Sequence, residues 1–98
     1  MKIIALETEA PGTTGEQFAP FLEEEALRAW ELHQAGVIRE LHFRADRDEA
    51  VLVLECATVE DARRELATLP LVREGLIAFE LVPLRAYPGF GRLFARPS

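Results

Sequence analysis

Several classes of site are restricted by what the 98-residue sequence lacks. Cys56 is the only cysteine, so an intrachain disulfide and a thiolate-rich metal site are excluded. There is also a single serine and no glycine-rich phosphate loop, which excludes a serine-based triad and a phosphate cradle. Of the two histidines, His33 has no further ligand nearby, and only His42 with Glu40 or Glu55 is left open for a metal. We therefore expect no metal ion and no cofactor.

Long apolar segments and clustered positive charges are missing as well. No apolar run approaches the roughly 18 residues of a membrane-spanning helix, and no cationic segment precedes a shorter apolar one. We therefore expect a cytoplasmic protein that does not bind a membrane. The formal net charge is −6 and the 11 basic residues are dispersed, which predicts no nucleic-acid partner.

The residues that are present are those of an ordinary globular domain. Hydrophobic residues make up 49% of the chain and charged residues 29%, which leaves enough apolar surface for a core. A length of 98 residues is typical of one domain. We therefore expect a single domain over residues 1–98, whose last part, residues 85–98, forms a C-terminal tail.

The segment 36–57 predicts a β-hairpin, because two alternating runs surround a charged turn at residues 46–49. Alternate side chains of a strand point to opposite faces, so each run separates an apolar set from a mixed set. The apolar sets are Leu41 with Phe43 in the first run, and Leu52 with Leu54 in the second. A strand with one apolar and one mixed face is typical of an antiparallel sheet that is covered on one side.

The order of the predicted elements is β-α-β-β-α-β. Strands are expected near residues 1–9, 37–45, 50–57 and 76–84, and helices near residues 19–35 and 58–70. This order is that of the ferredoxin-like split βαβ motif. It predicts an α+β fold in which a four-stranded antiparallel sheet carries two helices on one face. The side chains expected to face the helices are Ile4, Leu6, Leu41, Phe43, Leu52, Leu54, Ile77, Phe79 and Leu81. Those expected on the other face are Ile3, Ala5, Glu7, Ile38, Glu40, His42, Arg44, Val51, Val53, Glu55, Ala78, Glu80 and Val82.

Capping and breaking residues predict where the helices begin and end. Thr13–Thr14 precede Glu16–Gln17 at the spacing of a capping box, and Pro20 is expected in the first turn of the regular helix. Gly36 is expected to end that helix, and Thr58 to cap the second one. The buried stripes expected are Phe18, Leu22, Ala26, Ala29, Trp30 and His33 on the first helix, and Val59, Ala62, Leu66 and Leu69 on the second.

The sheet face away from the helices predicts self-association. It is too apolar to be left in water, yet it carries too many charges for a core. A face-to-face homodimer, or a higher homo-oligomer, would enclose a semi-polar cavity between two such sheets. The tail contains Tyr87, Phe90 and Phe94, whose apolar area favours packing on a partner subunit or at the mouth of the cavity.

Parts of the sequence resemble a known family. Glu65–Leu71, Glu80–Arg85 and Tyr87–Pro88 are similar to the second half of muconolactone isomerases, and the hairpin can be aligned with the same family. The resemblance covers roughly Glu24–Pro88, and the connection between Leu71 and Glu80 is longer here. It implies a dimeric α+β barrel, often further oligomerised, and cofactor-free isomerisation of a small lactone or a similar acid.

Isomerisation next to a carbonyl needs a base and a group that stabilises the enolate charge, and the mixed sheet face offers candidates for both. Glu55, His42 and Glu40 are the candidate catalytic residues. The candidate substrate-binding residues are Arg44, Glu80 and Tyr87, since a guanidinium can bind a substrate carboxylate with two hydrogen bonds. Glu7 is expected on this face as well.

Other interpretations compete with this hypothesis. Charged residues of strands are more often solvated or paired across strands than catalytic. His33 is better explained as a hydrogen-bonded packing residue, and Cys56 as a small buried side chain. The fold would also suit a non-catalytic small-molecule-binding or assembly module, or a cofactor-independent monooxygenase, because one fold supports many reactions.

Overall fold

The computed structural model describes residues 1–95 of the chain. Its elements are, in order, β1 (Lys2–Glu9), α1 (Gly15–Phe18), a 3₁₀ turn (Ala19–Phe21), α2 (Leu22–Gln34), β2 (Ile38–Phe43), β3 (Ala50–Glu55), α3 (Val59–Leu66), α4 (Pro70–Arg73), β4 (Ile77–Pro83) and a 3₁₀ segment (Gly89–Leu93). The strands form one antiparallel sheet in the order β2-β3-β1-β4. This confirms the predicted α+β, ferredoxin-like fold, and β4 lies at an edge of the sheet.

The capping residues act as predicted. The Thr14 N–H donates to Gln17 Oε1 at 2.8 Å at the start of α1, and the Asp61 N–H donates to Thr58 Oγ1 at 3.0 Å at the start of α3. Gly36 follows α2 with a φ of +80°, a conformation that favours glycine after a helix. Pro20 lies in the 3₁₀ turn, so the regular helix begins two residues later than that proline.

The second predicted helix is divided in two. Residues 58–70 were expected to form one helix ending at Pro70, but α3 already ends at Leu66 and Pro70 begins the short helix α4. Proline is favoured at the first position of a helix because its missing N–H has no partner there. The predicted stripe on this segment is otherwise confirmed, since Ala62, Leu66 and Leu69 are buried.

The core lies between the sheet and the helices. Its central residues are Ile3, Ala5, Leu32, Ile38, Leu52, Leu54, Ala62, Leu66 and Leu69. Ile3, Ile38 and Leu54 are fully buried. No buried polar or charged residue is found among residues 1–95, so this core is held by apolar packing.

The predicted face of β1 is wrong. Ile3 and Ala5 face the helices and are fully buried, whereas Ile4 and Leu6 lie on the open face. The pairing of β1 with β3 sets this phase, because Ile3 lies opposite Leu54. Both alternating sets of β1 are apolar, so alternation alone could not distinguish the two faces.

The predicted face of Ile38 is also wrong, because β2 contains a bulge. The register shifts between Ile38 and Glu40, which leaves Arg39 without a directly opposite residue on β3. Ile38 therefore faces the helices together with Leu41 and Phe43, while Glu40 and His42 keep the open face as predicted. An extra residue in one strand reverses the phase of the alternation on one side of the bulge.

The buried side of α2 differs from the predicted stripe. Leu32 is 1% exposed and was not predicted, whereas Leu22 and Trp30 are 53% and 56% exposed. Phe43 of the neighbouring strand was expected in the core but is 72% exposed. The reason is that α2 covers only part of the sheet and leaves a gap over β2.

The tail extends away from the sheet and helices. The radius of gyration is 16.8 Å, against about 13 Å for a compact chain of this length, and the longest dimension is 64 Å. The Tyr87 ring lies over Gly89, where a Cβ atom would not fit, and packs edge-on against Phe90 with ring centres 5.2 Å apart. Phe90 and Phe94 are exposed. Residues 96–98 of the predicted tail lie outside the described residues.

Within residues 1–95, no helix is both long enough and apolar enough to cross a bilayer.

The assignment of the β1 faces can be tested with two matched substitutions. Ile3→Ala should lower the free energy of unfolding by about 2–5 kcal/mol, because it leaves a cavity in the core. Ile4→Ala, at the next position on the open face, should lower it markedly less. Urea denaturation measures both, at several protein concentrations so that any contribution of self-association is separated. A larger loss for Ile4→Ala at the lowest concentration would contradict the assignment.

Candidate functional site

A pocket lies between α2 and the sheet. Its volume is about 310 Å³, near the lower end of the range of about 300–1,000 Å³ that is usual for small-molecule sites. The residues that line it are Glu7, Leu22, Glu25, Ala26, Ala29, Ile38, Leu41, Phe43, Ala50, Leu52, Leu69, Leu71, Ile77 and Phe79. We refer to this space as the core pocket. Apart from two glutamates, all of its lining side chains are apolar.

The core pocket results from small side chains on α2. Ala26 and Ala29 face the sheet where larger residues would have closed the gap to β2. Leu22, Leu41 and Phe43 line the same space and are each 45% exposed or more, so they form its open mouth. An open apolar mouth of this kind is suited to a small ligand or to an apolar segment of a partner.

Glu7 is positioned in the core pocket by the phase of β1. Its Oε1 accepts a hydrogen bond of 3.1 Å from the Ala50 N–H at the start of β3. Partial burial raises the pKa of Glu7, and the negative charges of Glu9, Glu49 and Glu25 act in the same direction. The hydrogen bond from Ala50 opposes this rise. Glu7 is therefore protonated more readily than an exposed glutamate.

Glu25 enters the core pocket from the first turns of α2. Its Oε1 accepts a hydrogen bond of 2.9 Å from the Leu71 N–H in α4, so the carboxylate also links the two helices. Partial burial raises the pKa of Glu25, whereas the hydrogen bond from Leu71 and the charge of Arg73 lower it. Of the two glutamates, only Glu25 has a cation, Arg73, among the groups that affect its pKa. The ionised form is therefore more favoured at Glu25 than at Glu7.

The arrangement brings two partly buried carboxyl groups to one apolar pocket. Perturbed carboxyl groups in a cleft are typical of sites that transfer protons, because a raised pKa makes a stronger base and a more available acid. Glu7 was expected on the open face with the other candidates, so its position here is a correction. Glu25 was not predicted as a site residue. Glu25 lies four residues before Ala29 and seven before Leu32, and this helical spacing indicates that it lies on the buried side of α2.

The predicted catalytic residues lie on the open face of the sheet, away from the core pocket. His42 and Glu40 are paired, with Nε2 of the imidazole 3.0 Å from Oε1 of the carboxylate. Glu55 lies 3.4 Å from the N-terminal amino group. All three side chains are exposed in the single chain. The structure thus brings together His42 and Glu40, whose partners on β3 are Val51 and Val53. Glu55 lies on the same face, two residues beyond Val53, but it is paired with the N-terminal amino group instead.

The predicted substrate-binding residues are dispersed. Arg44 follows β2 and is held by Asp46 through two hydrogen bonds of 2.7 and 2.8 Å, which raise the pKa of the guanidinium. Glu80 lies on the open face of β4, opposite Leu6. Tyr87 is in the tail, where its ring is occupied by the contacts with Gly89 and Phe90.

The remaining chemically reactive residues have structural roles. His33 Nδ1 lies 2.8 Å from the Ile38 carbonyl oxygen, which confirms that His33 is hydrogen-bonded. Partial burial raises the pKa of the Cys56 thiol, so this cysteine is a poor nucleophile. Within the described part of the chain, no three His, Cys, Asp or Glu side chains are grouped so that they could hold a metal ion.

Comparison with known proteins supports the fold. No family model matches the sequence, and no curated protein matches it. Among solved structures, the chain is similar to the crystal structure of muconolactone isomerase at 3.3 Å resolution. The TM-score is 0.73 and the identity 22%, over 90% of this chain and 92% of the other. The chain therefore has a muconolactone isomerase-like α+β fold.

Proposed function

We propose that this protein catalyses cofactor-free proton transfer on a small carbonyl compound, such as a lactone, bound in the core pocket. The observation that carries the proposal is the pair of partly buried carboxyl groups, Glu7 and Glu25, in a pocket that is otherwise apolar. The structural similarity to muconolactone isomerase is consistent with this chemistry. Isomerisation in the strict sense requires the proton to return to a different carbon.

The two carboxyl groups have different roles in this proposal. Glu25 is the general base, because the nearby charge of Arg73 favours its ionised form. Glu7 is the group that stays protonated, because burial and the negative charges of three neighbours all raise its pKa. A neutral Glu7 donates a hydrogen bond to the enolate oxygen that forms when Glu25 removes the proton. Two carboxyl groups in different environments thus supply both the base and the acid.

A second location for the chemistry is the open face of the sheet. There Glu55, His42 and Glu40 would act in a cavity between two subunits, with Arg44, Glu80 and Tyr87 binding the substrate. The contact of 3.0 Å between His42 and Glu40 favours this alternative, because the carboxylate orients the imidazole. Its weakness is the lack of enclosure, since these side chains are exposed unless a partner covers them.

We further propose that the protein forms a homodimer through the open face. Ile4, Leu6, Val51, Val53 and Val82 are only partly buried there, and they form an apolar area that water would disfavour. The tail over residues 85–98 is proposed to pack on a partner subunit, because its exposed aromatic side chains find no such surface on their own domain.

Catalysis in the core pocket is tested with a panel of small lactones and ketones in D₂O. Proton NMR should show loss of the signal next to the carbonyl at a rate that depends on protein concentration. Glu25→Gln should reduce this exchange about 100-fold or more, since the base is removed. Glu7→Gln should reduce it less, because the amide can still donate a hydrogen bond.

Three variants serve as controls for that experiment. Glu23→Gln, on the exposed side of the same helix, should leave the exchange unchanged. Glu55→Gln and His42→Gln test the second location. Loss of exchange in either of these two, with full activity in Glu25→Gln, would refute the core pocket as the site. Ligand binding without any exchange would favour a non-catalytic binding protein.

The burial of Glu25 predicts a dependence of stability on pH. The folded-state pKa of Glu25 is raised above the unfolded value, so its contribution to stability is fully present below the unfolded pKa. That contribution is lost as pH rises through the folded pKa. Glu25→Gln keeps an acceptor for the Leu71 N–H without the charge, and should be more stable than the native chain at pH 8.

Thermal unfolding between pH 4 and pH 8 checks this prediction. The advantage of Glu25→Gln should disappear towards pH 4, where both chains carry a neutral group. Glu23→Gln, which replaces an exposed glutamate of the same helix, serves as the control and should show no such trend. A constant difference at all pH values would show that the Glu25 charge is not the cause.

The proposed dimer is tested by a charge in its interface. Light scattering coupled to gel filtration should give about twice the chain mass of 11.0 kDa for the native protein. Val53→Asp should give the monomer, because two carboxylates would be buried against each other across the interface. Ala19→Asp adds the same charge to an exposed turn and should not alter the mass. A monomeric native protein at high concentration would overturn the dimer.

A further inference from the structure

The core pocket has no group that would neutralise a negatively charged ligand. Among the described residues that line it, the only charged ones are Glu7 and Glu25, and none is Lys, Arg or His. Without a cationic side chain, an anion could be bound by main-chain N–H groups, such as those of Ala50 and Leu71. Both already donate to the two glutamates, at 3.1 and 2.9 Å.

The charges around the pocket do not compensate for the lack of a cation in its lining. The groups that act on the two carboxyls are Glu9 and Glu49 near Glu7, and Arg73 and Glu24 near Glu25. Arg73 is the only cation of this set, and its guanidinium already lies 3.3 Å from carboxylate oxygens of both Glu24 and Glu74. The surroundings of the pocket are therefore negative overall.

Two basic side chains beside residues of the mouth, His33 and Arg44, are also engaged. His33 lines a shallow groove next to the mouth, with Trp30 and Leu41, and its Nδ1 is bound at the Ile38 carbonyl. Arg44 follows Phe43 at the mouth and is held by Asp46. Neither side chain lines the core pocket.

We propose that the core pocket selects uncharged, largely apolar carbonyl compounds of one or two rings and excludes ligands that carry a carboxylate. The proposal rests on the proposed function, since both place the ligand in the core pocket, and it narrows the substrate class to neutral lactones, esters or ketones. A carboxylate entering this space would lose its water and meet the ionised carboxylate of Glu25, with no cation in the lining to compensate, which is unfavourable on both counts. A neutral ring would exchange water for apolar side chains.

A matched pair of probes tests the proposal. Methyl phenylacetate and phenylacetate share the ring and the carbonyl carbon, and only the second is charged at pH 7.5. Titration followed by ¹H–¹⁵N NMR should move the amide signals of Ala50 and Leu71. The dissociation constant of the ester should be at least about 10-fold lower than that of the acid, which corresponds to about 1.4 kcal/mol.

Two variants establish the cause and the place of this discrimination. In the Glu7→Gln/Glu25→Gln double variant, phenylacetate should bind nearly as well as the ester, because neither side chain can then carry a negative charge. Ala26→Phe fills the mouth of the pocket and should abolish binding of the ester. Its fold is verified by the unchanged NMR spectrum of the open sheet face.

Three results would overturn the proposal. The first is that phenylacetate binds as tightly as the ester. The second is that the ratio of the two affinities is unchanged in the double variant. The third is that the ester does not bind. Failure of the proposed function gives a different result. In that case the ester binds in preference to the acid, yet no member of the lactone and ketone panel exchanges its proton.

Discussion

The antiparallel pairing of β1 with both β3 and β4 determines which side chains meet the helices. In the observed register Ile3 lies opposite Leu54 and Ala5 opposite Leu52, so the odd-numbered side chains of β1 enter the core. Glu7 follows in the same phase and enters the core pocket. A shift of one residue would exchange the two faces and leave Glu7 on the open side of the sheet. The core and the candidate site therefore depend on the same register.

The core pocket exists because α2 covers the sheet incompletely. Leu32 anchors the helix in the core, but the alanines of its preceding turns leave a gap over β2. Filling this gap with apolar side chains would add stability, and the two carboxyl groups within it reduce stability further when they are ionised. This gap, with two carboxyl groups in it, is the feature on which the proposed site rests.

The domain also leaves two apolar surfaces uncovered, which are the open face of the sheet and the tail. The open face combines partly exposed aliphatic residues with the paired His42 and Glu40. The tail holds its own local structure, with Tyr87 packed over Gly89, and presents Phe90 and Phe94 outwards. These surfaces are the observation on which the proposed homodimer rests. The core pocket, in contrast, is complete within one chain.

The order of the elements, the hairpin, the helix caps and the fold class could all be predicted from the amino-acid sequence. These features depend on neighbours along the chain, such as the spacing of Thr58 and Asp61 or the glycine at position 36. The open-face positions of Glu40 and His42 were also predictable, because the alternation beyond the bulge is regular.

Three features depend on contacts between distant parts of the chain: the buried face of β1, the face on which Ile38 lies, and the carboxyl groups that share a pocket. Both faces of β1 are apolar, and the bulge places Ile38 on the same face as Leu41 although regular alternation would separate them. The two faces could therefore be assigned only from the register with β3. The pairing of Glu7 with Glu25 in one pocket depends on how α2 lies across the sheet. The position of α2 depends on many packing contacts between side chains that are distant in the sequence, and these cannot be predicted from a local pattern of residues.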